Sequence, residues 1–116
     1  MSIEDDVDQI GTSLSGKDTL KFLVDDLKWF SFQFSAIKFA VTVAIKNDLP
    51  PVKGATLTTS HNVSSLDPDQ SLKNVLLELY PSQPPYKTAQ LLADAGLEFI
   101  SEKIRKDNWT IENFIE

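Results

Sequence analysis

The residues that could do chemistry are few and dispersed. The single histidine, His61, sits in Thr58-Thr59-Ser60-His61-Asn62, and a serine beside a histidine suggests a nucleophile with its base. Catalytic partners meet in space, however, and adjacent side chains in an extended segment point apart, so the pair has no geometry for attack. His61 reads as an exposed loop histidine. To hold a metal it would have to recruit carboxylates from elsewhere, because the chain has no cysteine and no second histidine. The adjacent acids Asp5-Asp6 and Asp25-Asp26 read as solvated, the first in a polar end and the second on the wet side of a helix. Gly11, Gly16, Gly54 and Gly96 are too scattered for a phosphate-cradling loop. Trp29, Phe30, Phe32 and Phe34 could stack bases, but no lysine or arginine is interleaved with them, so they read as core and interface. No enzyme activity, no cofactor and no metal is expected.

Composition narrows the class further. The chain has 116 residues, 41% of them hydrophobic, which suits one globular domain able to bury a core without staples. Its net charge is −6, and much of the acidity lies at the start, in Glu4, Asp5, Asp6 and Asp8. A leader peptide would be basic and then apolar there, so no export signal is read, and with cysteine absent a cytoplasmic chain is expected. Arg105 is the only arginine, which argues against extensive nucleic-acid contact, since arginine is the side chain best suited to bidentate reading of guanine and phosphate. No apolar run approaches the about 20 residues a membrane span needs, so no membrane partner is expected.

The elements that must position any site are organised around residues 36–46. On a helical period the polar residues Ser35, Lys38, Thr42 and Lys46 share one narrow stripe, and Ala36, Ala40 and Ala44 lie opposite it. Such a helix is buried on nearly every side, and its alanines let another helix approach closely. The expected fold is mainly α: four helices around this central one, with a short N-terminal strand ribbon, in a single domain over 1–116. Residues 1–9 form a mobile acidic arm. Ile10 to Leu14 alternates like a strand, and Ser15 to Asp18 has capping-box spacing. The following helix, Thr19 to Phe30, carries two apolar strips, Leu20/Leu23/Val24/Leu27 and Phe22/Trp29. Ser35 caps the central helix, which ends at Asn47-Asp48 before Pro50-Pro51.

Residues 49–66 read as a loop, polar from Val52 to Ser65, with a short extended piece at Ala55 to Thr58. Over 67–116, Asp67-Pro68-Asp69-Gln70 starts a helix with Asp67 as its cap and Leu72, Val75, Leu76 and Leu79 as its buried stripe. A long helix from about Pro85 to Lys106 buries Ala89, Leu92, Ala93, Leu97, Ile100 and Ile104. Gly96 marks its close approach to a neighbour, and Asp94, Glu98, Glu102 and Arg105 its solvated side. In the tail, Trp109, Phe114 and Ile115 are expected to dock on apolar surface.

A strand, a capped helix, a turn and a largely buried second helix opening at Ser35 make residues 10–47, within a core of 10–48, resemble the ribbon-helix-helix family. The resemblance implies two chains that pair their strands into a ribbon lying in the major groove. It would place Gln9, Gly11 and Ser13 against base edges and the amide end at Ser35 and Ala36 against phosphate. Lys17, Lys21 and Lys38, with Lys46, would then make one positive face. Surplus apolar surface points to a homodimer whose interface includes Leu20, Phe22, Trp29, Ala36, Ala40 and Ala44. Two functions follow: a small non-enzymatic dimeric regulator that contacts DNA, or an interaction or accessory subunit with a protein partner and no nucleic acid.

Overall fold

A computed structural model describes residues 6–51 and 59–116. The chain is mainly helical with a short two-stranded antiparallel sheet, as the sequence leads one to expect. The first strand, β1 (Gln9–Thr12), pairs with β2 (Thr59–Asn62) in the register Gln9 with Asn62 to Thr12 with Thr59. The ribbon therefore forms within one chain. β2 falls in the segment read as loop: its sequence, TSHN, has no apolar alternation, so nothing local marks it and its partner strand defines it. The extended piece expected at 55–58 lies outside the described residues.

The other edge of β1 is closed by a helix. The amide N–H groups of Gly11 and Ser13 donate to Gln90 Oε1 (2.9 Å) and Asp94 Oδ1 (3.0 Å), one turn apart on α5 (Pro85–Asp107). Just before the strand, the Asp6 carboxylate accepts from the backbone N–H groups of Tyr86 and Lys87, at 2.9 and 2.8 Å. Two of the orphan amides that open α5 are thereby satisfied. The described part of the acidic arm is thus tied down from Asp6 onward, and residues 1–5 lie outside the description. Asp94, placed by helical periodicity on the wet side, is instead buried; a carboxylate at the edge of a strand can be covered because the strand supplies its donors.

The first helix begins two residues earlier than the capping-box spacing suggests. α1 (Leu14–Lys21) is capped by Ser13, whose Oγ accepts from the Gly16 N–H and donates to Asp94 Oδ1 at 2.8 Å. A Cβ on Gly16 would lie 2.5 Å from that same oxygen, so glycine lets α1 start against α5. A π-helical turn follows over Phe22–Asp26, with Leu27 N–H donating to Phe22 O, and Lys28 at φ 55 closes it. The expected helix to Phe30 therefore stops early. Inserting one residue rotates the following side chains by about 100°, and Val24 and Leu27 end half-buried while Leu20 and Leu23 are fully covered.

α2 (Gln33–Lys46) is capped at Phe32, in extended conformation, so Ser35 lies within the first turn rather than at the cap. Ala36, Ile37, Ala40, Val41 and Ala44 are completely buried and the wet stripe is where the sequence puts it. The alanine side meets α5: a Cβ at Gly96 would fall inside the carbonyl group of Ala40. The two helices pack backbone to backbone, joining the alanine stripe and the glycine that the sequence marks separately.

After β2, the single turn α3 (Val63–Leu66) leads to Asp67, which caps from a distance. Helix α4 (Ser71–Leu79) starts three residues later than expected, and the buried Asp67 carboxylate accepts from Leu72 and Lys73 N–H, each at 3.0 Å, and from Tyr86 Oη at 2.8 Å. Gln70, at φ 60, turns the chain and does not reach back as a capping-box residue. Three donors on one buried carboxylate join the α4 start to the α5 start. Burial, and then this hydrogen bond, push the Tyr86 phenol well above its ordinary 10.0.

The tail docks through α6 (Ile111–Ile115), opened by a Thr110–Asn113 capping box. Phe114 is 2% exposed and sits edge-on to Trp109, Trp29, Phe39 and Phe99 with centroids 5.0–6.4 Å away. Burying such a ring contributes roughly 1.5–3 kcal/mol. Ile115, expected to dock as well, is 64% exposed, because the single turn points Phe114 inward and its neighbour outward.

Candidate interaction surface

The largest departure from the expected core is on α4. Leu72, Val75, Leu76 and Leu79 are spaced as one buried stripe, but only Leu76 is fully covered; Leu72 is half-buried, and Val75 and Leu79 are each 49% exposed. Helix α4 is only nine residues long and five of them are apolar. That is more apolar circumference than one neighbouring surface covers, and this excess is the sequence signal for an exposed face.

Beside this face runs α2, and between the two helices lies a groove of about 390 Å³ lined by Lys38, Thr42, Ile45, Ser71, Leu72 and Val75. Its floor is aliphatic. Its α2 wall is the wet stripe, where the Thr42 hydroxyl is engaged by its own helix, Oγ1 donating to Lys38 O at 2.9 Å. The far end of α2 is held by Lys46, whose Nζ donates to Phe114 O and Glu116 O. Exposed Ile115 lies between those two residues in the chain. Covering the open halves of Val75 and Leu79 would contribute on the order of 1 kcal/mol each.

The residues singled out for DNA have different surroundings. Gln9 is exposed and its Nε2 donates to Asn62 Oδ1 at 3.1 Å. Gly11 is buried with its N–H on Gln90, and Ser13 is bound to Asp94. Lys17 and Lys21 are exposed on α1, Lys38 lines the α2–α4 groove, Lys46 is tied to α6, and Ser35 is exposed in the first turn of α2. Of the residues assigned to a dimer interface, Leu20, Ala36, Ala40 and Ala44 are wholly covered by their own chain, and Phe22 and Trp29 are half-buried, Trp29 against Phe114.

Among the described residues, the polar partner of His61 is an amide and not a carboxylate. Its Nε2 lies 2.9 Å from Gln33 Oε1 and its ring meets Phe34 edge-on, while Nδ1 is buried without a hydrogen-bond partner among the described residues. It is an integral part of the ribbon–α2 contact and not the exposed loop histidine expected. Among the described residues, no group of three His, Cys, Asp or Glu side chains could hold a metal ion, and no helix is long and apolar enough to cross a membrane.

No family model, curated protein or solved structure matches the chain.

Proposed function

We propose that this chain is a non-enzymatic interaction subunit that binds another protein through the α2–α4 groove. One observation carries the reading: on α4 an apolar stripe at helical spacing stays open, with Val75 half-exposed at the groove and Leu79 half-exposed one turn further along. Contiguous apolar surface beside a groove is characteristic of a docking site. The test is site-specific photo-crosslinking in the cells that make the protein, with the reactive residue at Val75 or, as a control, at the exposed Lys87. A discrete adduct from position 75 alone, lost on Leu79→Glu, is expected. No adduct from position 75, or equal adducts from both positions, would refute the reading.

A second reading, a ribbon-helix-helix-like dimeric regulator that contacts DNA, is favoured by the amide pair Gln9–Asn62 exposed at the end of the ribbon, since amides read adenine in the major groove. Against it stands the closure of β1 on both edges, by β2 and by the α5 side chains, which leaves β1 itself no edge for a second copy's β1. Binding to mixed DNA fragments should weaken steeply as salt rises if this reading holds; binding undetectable at low salt would eliminate it.

A further inference from the structure

We infer that the α2–α4 groove takes an amphipathic helix whose apolar anchors are flanked by acidic residues; this rests on the interaction reading above and adds the form and charge of the partner. The form follows from the backbone. Both walls are helices: the groove-lining stretch of α2 lies inside the helix, and the amides that open α4 are taken by Asp67 and Asp69, so an extended peptide finds no strand edge to pair with. A segment that satisfies its own backbone has no such need. The stretch from Lys38 to Ile45 is two turns, about 10 Å, which matches anchors at i, i+4 and i+7 on the incoming helix.

The charge follows from the α2 wall. Helix α2 contains no aspartate or glutamate, although the whole chain carries −6. Lys38 lines the groove and forms no ion pair among the described residues, where both ion pairs lie on α5. The carboxylate that feels Lys38, Asp69, is engaged by the Ser71 N–H and Oγ, at 3.1 and 2.9 Å. A carboxylate on the incoming helix would give Lys38 its partner. A second copy of this chain suits the groove less well: two-fold pairing would bring one Lys38-bearing wall toward another.

The probes are two fluorescein-labelled 16-residue designed helices with the same leucine face, one with glutamate flanks and one with lysine flanks, read by fluorescence anisotropy at low salt. The glutamate helix should bind more than about fivefold tighter than the lysine helix. Lys38→Glu should reverse the order, and Val75→Glu, checked for folding by circular dichroism, should abolish binding. Equal affinities that Val75→Glu still abolishes would overturn the acidic partner and leave the groove reading standing. Binding untouched by Val75→Glu would overturn both. Failure of both helices to bind at high micromolar concentration would overturn the helical form, while the crosslink at position 75 judges the groove separately. A dimer in sedimentation equilibrium that Val75→Glu dissolves would assign the groove to a second copy instead.

Discussion

Where α2 meets α5, Gly96 and Ala40 bring two backbones together and Ala36, Ala40 and Ala44 are fully buried; where it meets α4, the same helix borders a groove with half-exposed aliphatic side chains. Residue size accounts for the contrast. Alanine and glycine remove the side-chain layer, so a long helix can lie flush, whereas Ile45, Leu72 and Val75 hold the shorter α4 away. Completeness on one side and openness on the other separate what maintains the fold from what is free to engage a partner.

Four substitutions test that separation. Gly96→Val should have the largest effect, at least about 4 kcal/mol or outright loss of folding, because its side chain must displace the Ala40 carbonyl; a urea melt unchanged from wild type would disprove the flush contact. Phe114→Ala should cost about 3 kcal/mol, read as a lowered melting temperature with altered tryptophan emission, since Trp29 and Trp109 both border the ring.

Tyr86→Phe should cost about 1.5 kcal/mol near neutral pH, as the Asp67 carboxylate loses one of three donors. It also has a pH signature. Because the folded phenol titrates above its ordinary 10.0, the wild type keeps the full contribution below pH 10 and loses it as pH rises beyond that, so its alkaline stability curve should fall more steeply than the variant's. Parallel curves would show that the phenol proton is not held by folding. Smallest of all, Val75→Ser should change stability by no more than about 0.5 kcal/mol; a larger loss would make the open side part of the core.

The sealed side was legible in the sequence and the open side was not. The wet stripe of α2, its alanine row, the span of α5 and the docking of Phe114 all follow from periodicity and residue size, which act locally. The stripe on α4 has the same periodicity, but burial also requires a neighbour at the right distance, and Leu72 to Leu79 do not encode where α2 will lie. Strand β2 carries no local mark for a related reason: Thr59–Asn62 acquire their extended pairing from β1, 47–53 residues away in the register. Asp94 and Gln90 were hidden because a polar residue that satisfies a strand edge has the same spacing as one that faces water. The π-helical turn left no compositional mark that separates it from ordinary helix.

The closure of β1 by α5 also orders events during synthesis. The bonds from Asp6, Gly11 and Ser13 to Tyr86, Gln90 and Asp94 span 79–81 residues. The N-terminal strand thus cannot acquire its outer partners until most of the chain has left the ribosome, and Ile10, fully buried at the end, waits uncovered in the meantime. For a protein so rich in helix, contacts of such separation place its folding among the slower mixed topologies and not among helical bundles, whose contacts are local. The interval in which Ile10 is bare is when a nascent chain of this protein is most open to aggregation or to capture by a chaperone.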